Sequence, residues 1–310
     1  MDRLEAMSML VSVTETGSLS AAARALRVPL ATLSRKISDL EAQLGARLLI
    51  RTTRKLTLTD SGASYVTSAR RILEQVDEAE RAAAGEFTVP KGELVISAPV
   101  MFGRLHLLPV VAEFLAAYPE INVRLALADR NVNLVDDHVD MAVRIGKLAD
   151  SSMVATSVGV MRWVACASPA LLSAAGTPQE PMDLLGLPCV GVHSAPLPSA
   201  SWRFRHPQSG AVLDVNVRLR LAVTTTEAAA EAASLSVGVT RLLHYQVAEA
   251  IGRGKLQLLL EPYEPEPVPV SLLHVSRGQM PLKMRRFLDF AAPRLRHAIA
   301  AGDPGLLSKK

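Results

Sequence analysis

GSLSAAARALRVPLATLSRKISDLEAQLGARLLIRTTRKLTLTDSG, residues 17–62, is the stretch from which the rest of this chain is read. Two helical patterns are separated by Arg27-Val28-Pro29. Ser18 is placed to cap the first, because its hydroxyl can accept from an orphan backbone N–H. Ala21, Ala22, Ala23 and Ala25 keep that helix slim enough for a close crossing. Pro29 lacks the N–H that a helix interior needs but is tolerated where a helix begins. In the second helix, expected over 30–44, Leu33, Ile37, Leu40 and Leu44 recur at helical spacing and form one buried stripe. Thr32, Ser34, Arg35 and Lys36 occupy the other faces.

A basic hairpin follows. Leu56 and Leu58 alternate with Lys55 and Thr57, the period of a half-buried strand, and the tip carries Arg51, Thr52, Thr53 and Arg54. From Ser20 to Asp60 there are eight basic residues against three acidic ones, a surplus of five where the whole chain has +4. The basic excess is therefore concentrated on the motif. Charge, turn and periodicity coincide, which a merely solvated basic surface does not require. Helix, turn, helix and basic hairpin in this order place one helix in the major groove of double-stranded DNA and a strand tip on its backbone. Thr32, Ser34, Arg35 and Lys36 are expected at the groove, Arg being the best match for the paired acceptors of guanine. Arg51, Thr52, Thr53, Arg54 and Lys55 are expected at phosphate or sugar, where they position without reading sequence.

These motifs resemble the winged helix-turn-helix of LysR-type transcriptional regulators. The resemblance rests on Gly17-Ser18-Leu19-Ser20-Ala21-Ala22-Ala23, Leu33-Ser34-Arg35-Lys36-Ile37, Leu40-Glu41, Leu44-Gly45, Arg47-Leu48, Arg51-Thr52-Thr53-Arg54 and Leu56-Thr57-Leu58-Thr59. The family commonly caps the recognition helix with Ser and follows it with Gln; here Pro29 and Leu30 stand there, and Leu30 offers only an apolar contact. The resemblance continues through Gly92-Glu93-Leu94, Glu113-Phe114-Leu115, Tyr118-Pro119, residues 140–146 (DMAVRIG), Ala167-Ser168-Pro169 and Phe287-Leu288-Asp289-Phe290. It departs at Ser234-Leu235-Ser236, where glycine is frequent.

The fold class it implies is α/β multidomain: a winged helix-turn-helix over 1–59, a linker helix over 60–86, a hinge over 87–92, an effector-binding domain over 93–300 and a flexible tail over 301–310. The effector domain is expected as two α/β subdomains, similar to periplasmic solute-binding proteins, with crossovers near 161–165 and 266–270. Alternating strand and helix patterns after Gly92 read as the βαβ rhythm of a parallel sheet. Val66, Ala69, Leu73 and Val76 on the linker helix fit either packing on its own domain or a dimer seam. The length of the stripe and the lack of an adjoining helix favour the seam. The resemblance likewise implies a homodimer, or a tetramer of two dimers, on a two-fold symmetric operator, with contact to RNA polymerase.

Two places join a strand end, hydroxyls and a helix start: Ser97-Ala98-Pro99 through Phe102, and Thr224-Thr225-Thr226 before Glu227. Ligands of open α/β sheets bind at strand carboxyl ends, and helix N-termini attract anions. A small anionic effector is expected there, with Ser97, Pro99, Thr224, Thr225 and Thr226 as polar partners. Phe102, Ile145 and Trp202 are expected as walls and Arg144 as counter-charge.

Three function classes compete: ligand-responsive regulator, enzyme with a DNA-binding module, and transport-type solute-binding protein. The seven histidines are scattered, with no HExxH, GxSxG or phosphate-cradling glycine loop, so no catalytic residue, metal or cofactor is expected. The acidic residues among Met1-Asp2-Arg3-Leu4-Glu5 do not form a secretory leader, and no apolar run of about 18 residues is present, so a cytoplasmic protein without a membrane span is expected. Cys166 and Cys189 have no metal spacing; they read as packed small apolar residues, with a redox pair as the alternative.

Overall fold

The computed structural model describes the chain except residues 1, 52–55, 84–88, 131, 135–136, 149–152, 193–198, 276–279, 304 and 306–310. The chain divides into two compact units, Met1–Gly92 and Glu93–Lys310.

In the first unit, α1 (Arg3–Thr16), α2 (Leu19–Ala25) and α3 (Leu30–Leu44) precede the antiparallel strands β1 (Leu49–Arg51) and β2 (Leu56–Leu58), and α4 (Asp60–Ala83) follows. The Asp2 carboxylate accepts from the Leu4 and Glu5 N–H groups at the start of α1, and the Ser18 hydroxyl accepts from Ala21 at the start of α2. Gly17 and Gly45 end α1 and α3 with φ of 68° and 64°, conformations that favour glycine. The core joins Leu10 and Val13 of α1, Ala22 and Ala23 of α2, Leu33, Ile37 and Leu40 of α3, and Leu48 and Leu49 of the hairpin.

The second unit opens with β3 (Gly92–Ala98), then α5 (Val100–Phe102), a π-helical turn (Gly103–Leu107) and α6 (Leu108–Ala117). β4 (Ile121–Leu127), β5 (Met141–Ile145), β6 (Met153–Met161) and β7 (Trp163–Ala167) follow, then α7 (Pro169–Ala175) and a 3-10 turn (Pro181–Gly186). β8 (Cys189–Val192), β9 (Ser199–Arg205), β10 (Val212–Val223), α8 (Thr226–Ser234), β11 (Val239–Leu243), α9 (His244–Gly252) and β12 (Gln257–Leu259) build the middle. A 3-10 turn (Glu261–Tyr263), β13 (Val268–Val275) and α10 (Leu282–Gly302) close it.

Two sheets result, ordered β4-β3-β5-β13-β6 and β12-β7-β11-β8-β10-β9. The chain passes from the first to the second at Arg162, between β6 and β7, and returns between β12 and β13. Both sheets are mixed rather than parallel: β3 pairs with β5 parallel, whereas β13 pairs with β5 and β6 antiparallel. Returning strands made the difference, because a strand re-entering a sheet from the far subdomain need not follow a βαβ crossover. The first core gathers Leu94, Ile96, Phe102, Leu107, Val110, Phe114, Phe287 and Leu295 between the sheet and helices α6 and α10.

The stretch Val100–Ala117 is long and apolar enough by composition to cross a membrane. Its Phe102, Leu107, Val110, Val111 and Phe114 side chains instead fill this core. The tail expected from residue 301 also differs: α10 runs through Gly302, and Asp303 is buried. Cys166 and Cys189 stand on β7 and β8, opposite Thr240 and Val239 of the intervening β11. Two strand spacings separate them, roughly 9–10 Å, beyond disulfide reach. Burial pushes both thiols up to about 12. The paired-redox reading is therefore corrected: these are packed core residues.

Candidate DNA interface and effector pocket

The helix-turn-helix turns on Arg27, whose φ of 54° lies in the left-handed region, and Val28 N–H donates to Ala23 O at 3.0 Å. Pro29 then starts α3 without a side-chain cap. Leu33, Ile37 and Leu40 bury one face of α3, and Ala31, Arg35, Ser38 and Asp39 are exposed on the other. Leu30, at the first position of α3, is 46% exposed. Thr32 and Ser34 are half-buried on the flanks. Lys36 is turned back, and its ammonium pairs with the Glu5 carboxylate of α1. An acid on a neighbouring helix thus holds Lys36, a partner that the expected groove-facing set did not include.

The hairpin is seated by Glu41, named above only for the resemblance it carries. Its Oε1 accepts from Leu48 N–H at 2.7 Å and Leu49 N–H at 3.0 Å, tying β1 to α3. An acid eight residues before an apolar strand gave no signal, because the strand start bends back onto the helix only in three dimensions. Thr59 Oγ1 accepts from Gly62 N–H at 2.9 Å and donates to Arg47 O at 2.7 Å. A Cβ on Gly62 would lie 2.0 Å from Leu48 O, so α4 meets the hairpin through a glycine. Arg51 ends β1; Thr52, Thr53, Arg54 and Lys55 lie outside the described residues.

On α4, Val66 and Ala69 are buried within this unit, and Arg70 pairs with Glu15 of α1 at 3.2 Å. The first half of the expected seam is therefore used inside the unit. Ile72 is exposed and Leu73 and Val76 are half-buried farther along.

In the second unit, Ser97, Pro99, Arg144 and Ile145 come together. They line a cavity of about 150 Å³ with Ala98, Ala128, Asp129, Arg130, Ala142 and Val143. The parallel pairing of β3 with β5 sets Ser97 beside Ala142, so residues far apart in sequence share a strand end. Ser97 is 3% exposed. Val100 N–H, at the start of α5, donates to Asp129 Oδ1 at 3.0 Å, so a carboxylate of the chain itself already occupies that helix terminus. Arg130 binds Asp137 at 2.9 Å; that hydrogen bond and charge hold the Arg130 proton more tightly and the Asp137 carboxyl below its usual range. Arg144 donates to Val132 O.

Other expected members lie elsewhere. Phe102 is fully buried in the first core, its ring tilted against His106 and edge-on to Tyr245. Trp202 is 6% exposed inside the second sheet's core with Phe204 and Val215. It alternates with Phe204 on the inward face of β9, and a side chain on that face packs rather than lines a cleft. Both assignments as ligand walls are corrected. Thr225 caps α8 by accepting from Ala228 N–H, beside exposed Thr224 and half-buried Thr226. Arg104 of the π-helical turn pairs with Glu227 of α8 at 3.0 Å, so the two expected helix starts approach each other across the two halves. Among the described residues no group of three His, Cys, Asp or Glu could hold a metal.

A family model described as "Bacterial regulatory helix-turn-helix protein, lysR family" matches residues 4–63, and one described as "LysR substrate binding domain" matches residues 88–296. The transcriptional regulator CrgA of Neisseria meningitidis serogroup B is 33% identical over 293 residues, covering 94% of this chain and 96% of its own. A solved structure of CrgA from Neisseria meningitidis matches with a TM-score of 0.59 and 31% identity, over 94% of this chain and 98% of that one. The full-length virulence activator AphB of Vibrio cholerae matches with a TM-score of 0.57 and 26% identity, over 93% and 98%.

Proposed function

This chain belongs to the LysR family of transcriptional regulators, with a helix-turn-helix DNA-binding domain and an effector-binding domain, and from that premise we propose how its residues divide the work. Arg35 reads base edges from the exposed face of α3, with Leu30, Thr32 and Ser34 beside it. Arg51, Thr52, Thr53, Arg54 and Lys55 bind the DNA backbone. Lys36 supports α3 through Glu5 rather than reading. The observation that carries this is the exposure of Arg35 opposite the buried Leu33-Ile37-Leu40 stripe.

The effector site is the cavity of Ser97, Pro99, Asp129, Arg130, Arg144 and Ile145. Its lining carries guanidinium groups and a carboxylate, which suits a small polar molecule bearing an acceptor and a donor better than a simple anion. Thr224, Thr225 and Thr226 shape the opposite rim through α8. The protein acts as a homodimer, or a dimer of dimers, through the outer half of α4, on a two-fold symmetric operator and in contact with RNA polymerase. It works in the cytoplasm, where such a target lies, and catalyses no reaction. A ligand changes its output only by preferring one subunit arrangement.

Fluorescence anisotropy with duplex DNA from upstream of its own gene, beside a scrambled duplex and across a salt series, tests the DNA reading. Strong preference for the native duplex is expected. Equal, steeply salt-dependent binding to every promoter tried would overturn it. Calorimetry of the full chain with a panel of small carboxylates, amines and zwitterions tests the pocket; heat that Ser97→Ala and Arg144→Ala leave unchanged would place the effector elsewhere.

A further inference from the structure

Arg162 stands at the passage of the chain from the first sheet to the second. Its side chain is only 4% exposed and meets two carboxylates that are themselves 3% and 8% exposed. Nη1 donates to Glu264 at 3.1 and 3.0 Å. Nε and Nη2 donate to Asp303, at 3.0 Å to Oδ2 and 2.9 Å to Oδ1. Glu264 belongs to the second passage, between β12 and β13, and Asp303 directly follows α10. The Arg162 carbonyl accepts from His244 N–H at 2.9 Å, at the start of α9. Gly305 N–H donates to Asp303 Oδ1 at 3.2 Å, and a Cβ on Gly305 would lie 2.6 Å from Arg162 Nη2. Both passages and the end of the last helix of the first half therefore meet on one guanidinium, and the backbone carbonyl of the same residue receives the start of a helix of the second half. Burial alone would loosen its proton, but hydrogen bonds to Asp303 and the charges of Glu264 and Asp303 prevail and hold it more tightly.

A buried ion cluster adds little net stability over apolar packing of the same volume. What it adds is direction: a planar fork satisfied on both edges accepts only a narrow range of angles. Any rotation of one half against the other turns about the two passages, and so must move Glu264 relative to Asp303.

We propose that Arg162, Glu264 and Asp303 form a clasp that sets the angle between the two halves of the effector domain, with Asp303 and Gly305, just beyond α10, holding it closed. Arg162 is thus a positioning residue. It lies outside the lining of the Ser97–Arg144 cavity, and it determines how that cavity faces α8.

The test uses the full chain carrying Glu120→Cys and Ala174→Cys, exposed positions in opposite halves, with a spin label on each. The native cysteines are buried. Labelled protein diluted in unlabelled protein restricts the measured distance to one subunit. One narrow distance is expected for the parent and for Asp303→Glu. A shifted or broadened distribution is expected for Asp303→Asn and for a chain ended after Gly302. The apolar replacement R162M/E264L/D303L removes the cluster without leaving a bare charge, and the same broadening is expected of it. Parent-like distance and width in these variants, whatever their melting temperature, would reduce the cluster to packing and overturn the proposal.

Discussion

The amino-terminal unit assembles its reading face from one continuous stretch, whereas the effector unit assembles its cavity from three separate segments, 97–99, 128–130 and 142–145. In the first, helical period and one turn fix which side chains face outward. In the second, sheet order and register fix them. The two units differ in charge chemistry as well. Among the described residues, the first places its basic residues at the surface and pairs Lys36 with Glu5 and Arg70 with Glu15. The second hides a guanidinium and two carboxylates inside. All seven histidines belong to it. A site made locally can be read residue by residue; a site made by pairing is read only after the pairing is known.

The largest effect that would sharpen this contrast is in the clasp. Arg162→Ala leaves Glu264 and Asp303 buried without their cation and should cost about 3–5 kcal/mol. Calorimetric melting should show the loss in the transition of the second unit, with that of the first unchanged. Equal loss in both would break the separation drawn here.

Gly62→Ala comes next. The new Cβ must move the Leu48 backbone, and overpacking of this kind costs about 1–3 kcal/mol. DNA affinity should fall with hairpin docking, while the fluorescence of Trp163 and Trp202, both in the second unit, stays unchanged.

Arg35→Ala should cost about 1–3 kcal/mol of binding and relax base preference. Lys36→Ala should change affinity much less and selectivity not at all, because that ammonium is paired with Glu5. Anisotropy titrations with matched and single-base-altered duplexes separate the two. If Lys36→Ala alters selectivity more than Arg35→Ala, the assignment of the reading face is reversed.

The smallest effect is on pH. Burial lowers the pKa of both His106 and His244 from 6.5, the Asp303 charge only partly opposing it at His244. The unfolded chain then binds protons that the folded one resists. The stability at stake is fully present above pH 6.5 and is lost as pH falls through the lowered folded values. The second unit should melt earlier below that pH, and the first, which has no histidine, should follow this dependence far less. His106→Gln should flatten the slope; an unaltered slope would assign it to other groups.

The helix-turn-helix was legible because Ser18, the Arg27-Val28-Pro29 break and the Leu33-Ile37-Leu40 period act over a few residues each. Arg35 followed from the same wheel. The pairing of Lys36 did not, because its partner Glu5 is 31 positions away and reaches it only when α1 crosses α3. In the effector unit, Ser97 and Pro99 were readable as a strand end, and Arg144 and Ile145, named as counter-charge and wall, join them because strand carboxyl ends gather on one side of a sheet. Phe102 and Trp202 were not, because a large aromatic near a loop looks the same from sequence whether it walls a cleft or fills a core. Their strand and helix faces decide the matter.

The sequence by itself determined the order of the domains, the recognition helix and its outward arginine, because short-range spacing and charge density carry that information. Only the tertiary structure decided that α4 spends Val66 and Ala69 inside its own unit, that Asp129 fills the α5 terminus expected to bind an anion, and that residue 303 closes on Arg162. Each of these depends on a long-range partner, and desolvation makes that partner compulsory: a buried charge or an orphan N–H must be met by whatever the fold brings to it.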